Sequence, residues 1–427
     1  MKTTQYADID RARAATAPEP PTCRSCGKGG LQTLLDLGRT PLANSLLEAG
    51  QLDQPQPTFP LELAFCPHCT LVQILETVPP EQLFRDYLYF SSFSETMLNH
   101  GRTLAAKLIA DRRLGPSSLV MEAASNDGWL LRHYRQKGVA VLGIEPARRI
   151  AAVARTEHGV ETIEEFFTEA LGRQLRDAGR RADVFHAHNV LAHVADLNGF
   201  VAGIGLALKD NGVAVIEVPY VKNLVDQGEF DTIYHEHLAY FSLTALQRLI
   251  ERHGLMIHDA ERIAIHGGSL RLVVARAARR LRLSARTAAL LREEADWGVD
   301  RPDFYLGLAR RVHALKADLG ALLTDLKRQG KRVAAYGAAA KGSTLLNCFG
   351  IGRDVLDFVV DRSSHKQGRY MPGVRVPIYA PEKLLEARPD YVLLLTWNFA
   401  DEIMNQQAEY RRGGGKFIIP VPELKVA

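Results

Sequence analysis

No uninterrupted apolar stretch in the 427 residues reaches the ~18–20 that a membrane-spanning helix needs. The opening MKTTQYADIDRARAATAPEP likewise lacks the apolar centre of a secretory signal. Both absences lead to the expectation of a soluble, cytoplasmic protein with no membrane partner. A charge excess of one sign is missing too. The 53 Lys and Arg against 49 Asp and Glu leave a formal +4, too little to argue for nucleic acid as a partner. The one basic concentration, Arg271, Arg276, Arg279, Arg280, Arg282 and Arg286, has Glu293 and Glu294 nearby and reads as a solvated face.

Cysteine is scarce, five residues in all, which argues against a disulfide-stapled fold. The fingerprint G-x-G-x-x-G is absent, and that disfavours a nicotinamide dinucleotide. H-E-x-x-H is absent as well: after His235-Glu236 the fifth position is Ala239, so a metalloprotease zinc site is unsupported. What is present is an ordinary globular balance, 46% hydrophobic and 24% charged, in a chain long enough for roughly two to four domains.

Four of the five cysteines form Cys23-Arg-Ser-Cys26 and Cys66-Pro-His-Cys69, two C-x2-C pairs separated by 39 residues. Paired knuckles bring four thiolates onto one Zn²⁺, and Gly27, Gly29 and Gly30 permit the tight turn after the first pair. Four sulfurs leave no place for an activated water, so the expected zinc is structural. His68 reads as a bystander and Cys348 as an ordinary buried cysteine. This zinc-binding domain is expected to cover residues 1–78 and to end at Val78-Pro79-Pro80.

Further on, Ser118-Leu-Val-Met-Glu122 reads as a strand, Ala123-Ala-Ser-Asn-Asp-Gly128 as a small-residue turn, and Trp129 onward as a helix. That order suits a cofactor held against backbone amides. A second strand, Val139-Ala-Val-Leu-Gly-Ile-Glu145, ends in a carboxylate able to accept both ribose hydroxyls. Residues 183–189, ending at Asn189, and 213–218 read as two more buried strands. A ribose site without a pyrophosphate cradle fits S-adenosylmethionine (SAM), bound at the strand C-termini of a doubly wound α/β sheet. Phe166-Phe167 falls where an adenine contact lies, and two core aromatics is an equally good account. Before this domain, residues 86–95 are dense in Tyr and Ser hydroxyls, with Ser94 as a helix N-cap.

The most chemical-looking stretch is Ile233-Tyr234-His235-Glu236-His237-Leu-Ala-Tyr240. As an extended strand it puts His235 and His237 on one face and Tyr234 and Glu236 on the other; as a turn it lets all four converge. Imidazole titrates near neutral pH and is a natural proton acceptor. His193, after the fourth strand, is a second candidate, whereas His186 and His188 read as packing or surface residues. A base beside a methyl donor means alkylation of a nucleophile made in place; a carbon nucleophile then needs an acidic C–H and a donor for the enolate oxygen.

With these residues in hand the chain resembles the bacterial nucleotide-sugar C-methyltransferases of antibiotic deoxysugar pathways. The resemblance is carried by the two cysteine pairs, Tyr89-Phe-Ser-Ser92, Glu122-Ala-Ala-Ser-Asn-Asp-Gly128, His193-Val, Tyr234-His-Glu-His-Leu-Ala-Tyr-Phe-Ser and His266-Gly-Gly-Ser-Leu-Arg. It continues through Gly337-Ala-Ala-Ala-Lys-Gly-Ser-Thr-Leu-Leu-Asn347 and Thr396-Trp-Asn398, so it spans most of the chain. It implies a zinc-binding N-terminal domain, a SAM domain at 79–275 and a Rossmann-like C-terminal α/β domain at 276–427, and a monomer acting on a nucleoside-diphosphate 4-keto sugar. It also implies His237 as the base that removes the C3 proton, Tyr234 and Glu236 as its pocket partners, and His193 as donor to the enolate. Tyr89, Ser92, Glu122, Ala124, Asn126, Asp127, Gly128, Glu145, Phe166, Phe167 and Asn189 are the implied SAM residues. Ala124 departs from the family, which usually has Gly there. An O- or N-methyltransferase, or a non-catalytic sugar-nucleotide binder, is the alternative.

In the C-terminal region residues 299–329 have a helical pattern, followed by a strand, Arg332-Val-Ala-Ala-Tyr336. The turn Gly337-Ala-Ala-Ala-Lys341-Gly-Ser343 resembles a phosphate cradle but is not a P-loop, because Lys341 precedes its Gly. Lys341 and Ser343 can reach a diphosphate at the helix N-terminus. With Asn347, Trp397 and Asn398, matched through the resemblance, they form the expected substrate set.

Overall fold

A computed structural model describes residues 20–85 and 90–427. The first sheet is antiparallel throughout, with strands Gln32–Thr40, Phe59–Phe65, Val72–Ile74 and Ala239–Tyr240 in that order. In Phe59–Phe65 Leu61, Leu63 and Phe65 form the buried face, half-buried Glu62 stands between the first two, and Ala64 is buried on the other side. Its last strand arrives from far along the chain, immediately after His237. The cysteine-bearing segment is thereby tied to the stretch rich in His and Tyr.

The central sheet has seven strands. Counted along the chain within this sheet, their spatial order is third (Thr162–Ile163), second (Ala140–Ile144), first (Leu119–Ala123), fourth (Ala182–His188), fifth (Leu208–Pro219), seventh (Ser269–Arg276) and sixth (Leu255–Ile263). The first five pair in parallel, and only Ser269–Arg276 runs against its neighbours. Near-continuous apolar runs such as Val213 to Ile216 form buried parallel strands because helices cover both faces. The order reverses beside the first strand, and a doubly wound sheet opens its ligand crevice at such a switch point.

The third sheet runs Ile378–Tyr379, Val359–Val360, Val333–Tyr336, Tyr391–Leu394, Lys416–Ile419, Lys425–Val426, parallel except for the last pair. It is reached through the helix Pro302–Arg328, which opens on proline at its first turn. Buried Tyr305, Leu308, Val312, Leu319, Leu323 and Leu326 form one stripe at helical spacing. That stripe packs into a single core with Leu35, Leu37 and the C-terminal sheet. Ser94 caps the helix Glu95–Arg112, its hydroxyl accepting from Met97 N at 3.3 Å. Among the described residues no helix is long and apolar enough to cross a membrane.

The basic concentration is not simply a solvated face. Arg271 lies between Glu217 and Glu261 in strand register, donating to them at 2.7 and 3.1 Å. Arg276 donates to the carbonyls of Gly205 and Leu208. Glu294 is fully buried, accepting from Tyr220 Oη and from Leu243 N and Thr244 N, all at 2.7 Å. Cross-strand neighbours decide these environments, and they are far away in sequence.

Candidate active site

The four knuckle sulfurs lie within 4.8 Å of one another. Cys23 Sγ is 3.4 Å from Cys69 Sγ and Cys26 Sγ is 3.6 Å from Cys66 Sγ. The vertices of a tetrahedron about 2.3 Å from its centre are about 3.8 Å apart, so this donor set fits Zn²⁺. His68 stands outside the cluster. Hydrogen bonding from Cys23 pulls the Cys69 thiol down to about 5, and the same bond with burial pushes Cys23 up. The metal site is docked onto the central domain: Asn198 Nδ2 donates to Arg24 O and Ser25 O at 3.1 and 3.0 Å.

At the switch point, the turn after Leu119–Ala123 folds over the ends of the sheet. Ser125 N donates to Ile144 O and Gly128 N to Ser125 O. Glu145, at the end of the second strand, accepts from Asn126 N and Ala147 N, both at 2.9 Å. Burial still pushes its carboxyl up to about 7 against those two donors. Ser91 N donates to Asn126 Oδ1 and Ser92 N to Asp127 Oδ2, which seats the segment before Ser94 on this turn. Both oxygens of Glu122, Oδ1 of Asp127 and Oδ1 of Asn189 are buried without a hydrogen-bond partner. A crevice with such a polar wall fits a ligand bearing hydroxyl and ammonium donors, as SAM does.

Phe167 does not face this crevice. Its ring packs on Phe185 and Phe200 in the core, so of the two expected adenine contacts only the half-buried Phe166 stays outside, beneath the Arg85 guanidinium. Tyr89 lies outside the described residues. Ala124 has φ +53° and Asn126 φ +50°, in the left-handed region. Asn tolerates that conformation, whereas alanine there is strained. We therefore expect Ala124→Gly to leave stability unchanged or raise it by about 1 kcal/mol. A loss of more than that in denaturant unfolding would show that the alanine methyl makes a contact worth its strain.

The chain turns between the short helical segment Phe230–Thr232 and the strand Ala239–Tyr240 instead of running extended, so only part of the expected set converges. His237 N closes the turn on Tyr234 O. His237 Nδ1 donates to Thr232 O at 2.8 Å, and its Nε2 lies 3.0 Å from Tyr234 Oη. A carbonyl can only accept, so in the neutral ring Nε2 carries the lone pair and the phenol donates to it. His193 stacks edgewise on His237 with ring centroids 4.8 Å apart, and its Nδ1 donates to Glu236 O at 2.6 Å. Burial pushes His193 down to about 4, so it is neutral at pH 7 and its Nε2 is also an acceptor. Glu236 accepts from Asn44 Nδ2 at 2.7 Å, and burial pushes its carboxyl up to about 7. His235 leaves the group altogether, its Nε2 meeting Pro60 O and its ring meeting Phe59. Asn44, Phe84 (5.5 Å from the His193 ring) and Thr232 belong to the site without a sequence signal, since tertiary contact alone brings them there.

Buried carboxyls here predict an unusual pH dependence. Glu145, Glu229 and Glu236 are each pushed from 4.5 to about 7 by burial. A group raised on folding stabilises fully below its unfolded pKa and loses that contribution as pH rises through the folded one. His188 and His193, lowered by burial from 6.5 to about 4, act in the opposite sense, but below pH 6.5. The donor-free, zinc-loaded protein is thus expected to melt at lower temperature at pH ~7.5 than at pH ~6.5. An equal or higher melting point at the upper pH would contradict these environments.

In the C-terminal sheet, Lys341 Nζ lies 4.5 Å over the Trp397 ring and 3.3 Å from Asn398 Oδ1. The expected phosphate cradle is partly filled by the protein itself: Asp361 Oδ2 accepts from Ala338 N at 2.8 Å. Ser343 is buried within the helix Ala340–Phe349. Asn347 spends its amide on Ser343 O and Pro372 O. The indole N–H of Trp397 is taken by Asp231 at 2.7 Å. Of the expected substrate set, half-buried Lys341 and exposed Asn398 keep polar groups at the protein surface.

Comparison with known proteins finds three matched regions. Residues 23–84 match the model of a zinc binding domain, 97–260 a methyltransferase domain, and 264–422 a C-methyltransferase C-terminal domain. C-methyltransferase NovU of Streptomyces niveus is 36% identical over 404 residues, covering 95% of this chain and 96% of that protein. A ubiquinone biosynthesis O-methyltransferase of Azorhizobium caulinodans is 26% identical over 97 residues, 23% of this chain and 38% of its own. Among solved structures, a Synechocystis magnesium protoporphyrin IX methyltransferase with bound SAH aligns at TM-score 0.34 and 16% identity, over 42% of this chain and 83% of that one. The near full-length match, the four-sulfur cluster and the methyl-donor sheet coincide in one chain, which belongs to the SAM-dependent C-methyltransferase family that carries a zinc-binding domain.

Proposed function

We propose that this C-methyltransferase alkylates C3 of a nucleoside-diphosphate-linked 4-keto deoxysugar, a step in building deoxysugars for secondary metabolites such as antibiotics. The observation that carries the proposal is the imidazole–phenol pair of His237 and Tyr234. Carbon becomes a nucleophile only after a C–H proton is removed, and a C–H beside a ketone is acidic enough for an imidazole base. His237 Nε2 takes the C3 proton; its Nδ1–H, held on Thr232 O, keeps the ring in the tautomer that can accept it. The Tyr234 hydroxyl, relieved of Nε2, donates to the C4 oxygen as negative charge collects there. Neutral His193 has already spent its one N–H on Glu236 O, so the enolate-donor role first expected of it passes to Tyr234. His193 instead holds the turn, and Glu236, fixed by Asn44, lines the pocket.

When bound, SAM supplies an electrophilic methyl group. Glu145, the unpartnered oxygens of Glu122, Asp127 and Asn189, the backbone of residues 124–128 and Ser92 are the groups that would hold it. Lys341 and Asn398 take the diphosphate end of the sugar nucleotide. In this reading residues 1–78 hold the zinc, 79–275 the donor and 276–427 the substrate nucleotide. Methyl-labelled SAM and a panel of dTDP-4-keto-6-deoxyhexoses in D2O, followed by NMR, test it. A quaternary C3 methyl signal is the expected result. Label on oxygen or nitrogen, or no C3–H exchange with any sugar, would rule this substrate chemistry out.

A further inference from the structure

The turn that carries His237 is seated on the C-terminal sheet by contacts the chemistry above does not use. Phe230 stacks on Phe349 with centroids 4.9 Å apart and ring planes at 11°. Thr344 Oγ1 donates to Ile233 O. Between these apolar and weak polar contacts sits one strong one: Trp397 Nε1 donates to Asp231 Oδ2 at 2.7 Å. Asp231 is wholly buried and its Oδ1 has no partner. Burying a carboxyl is expensive even with the Trp397 N–H, its own backbone N–H and the Lys341 charge near it, and an apolar side chain would seat the turn as well. The bond adds direction. Asp231 is bonded in sequence to Thr232, whose carbonyl receives His237 Nδ1–H at 2.8 Å. The other side of the same indole carries Lys341 at 4.5 Å.

We propose that Trp397 and Asp231 form a positioning strut: the indole N–H fixes the turn Phe230–Thr232 and through it the direction of the His237 ring, linking the base to the Lys341 end of the site. This rests on His237 being the base. The strut acts on proton abstraction and leaves both binding steps alone. A displacement of about 1 Å at a reacting group costs up to about 100-fold in rate, so Trp397→Phe, which keeps the aromatic face for Lys341 and removes the N–H, is expected to slow C3–H exchange and kcat about 10- to 100-fold. The sugar KM and the SAM Kd are expected to stay within about twofold.

Asp231→Leu removes the acceptor with little change of shape and is expected to slow exchange by the same factor, and the double variant to be no slower than either single one. Zinc content and SAM affinity report whether each variant is folded, and either single variant suffices for the test if the other is not. A raised KM with unchanged kcat, additive losses, or no loss would overturn the strut. His237→Ala in the same exchange assay separates the two claims. If it abolishes exchange while Trp397→Phe does not slow it, the strut alone fails; if His237→Ala exchanges normally, the base assignment fails and takes the strut with it.

Discussion

His237→Ala is expected to lower turnover by at least ~100-fold, the size of a lost general base, with SAM affinity unchanged. The separation follows from position. The oxygens proposed for the donor belong to Glu122, Asp127, Glu145 and Asn189 on the ends of the central strands, whereas His237 stands in the turn that follows residues 229–232. Its ring touches Tyr234, His193 and Tyr240, and its one ring N–H goes to Thr232 O. Alanine removes the proposed proton acceptor and takes from the Tyr234 hydroxyl its Nε2 partner. Because a base acts in the transition state and not in ground-state binding, kcat and kcat/KM should fall together. Equal turnover in the variant would take His237 out of the mechanism and turn attention to the neighbouring imidazole of His193, pushed down to about 4 by burial.

Loss of the metal has the second large effect. Cys66 follows the strand Phe59–Phe65, and Cys69 stands just before Val72–Ile74. Val72–Ile74 pairs with Ala239–Tyr240, two residues beyond His237, and Ile74 N donates to Leu238 O. Structural zinc contributes on the order of 10 kcal/mol to the fold around it. Cys66→Ser, or chelation, is therefore expected to abolish stoichiometric zinc and to bring forward the first thermal transition. Turnover should fall with it, since the strand that follows His237 loses its partner. Unchanged melting with one zinc still bound would contradict a four-thiolate site. Loss of zinc with full activity would instead cut the link between the knuckle and the His237 turn.

The elements were legible where the pattern is local. Apolar runs such as Val213 to Ile216, Ser94 before its helix and the stripe on Pro302–Arg328 each state their geometry within a few residues. The cysteine spacing announces a tetrahedral cluster because thiolate geometry is set by the ion and needs little from the rest of the fold. The tyrosine–histidine stretch showed its chemistry but not its shape. A strand puts Tyr234 and His237 on opposite faces; the hydrogen bond from His237 N to Tyr234 O makes a turn and brings their side chains together. Phe166 and Phe167 are a smaller case, adjacent in sequence and separated by the core that only Phe167 enters.

By itself, then, the sequence determined the leading parallel strands of the central sheet, several of the C-terminal one, a four-sulfur metal site, the lack of a dinucleotide fingerprint, and an imidazole–phenol stretch suited to C–H chemistry. Tertiary structure alone decided that Asn44 holds Glu236, that Asp231 receives Trp397, that Ser343 is buried while Asn347 spends its amide on Ser343 O and Pro372 O, and which nitrogen of His193 and His237 bears the proton. The reason is physical. Strand and helix periods are written in neighbouring residues, whereas a buried polar atom takes whichever partner the folded chain delivers, and here those partners lie from 4 to 192 residues away.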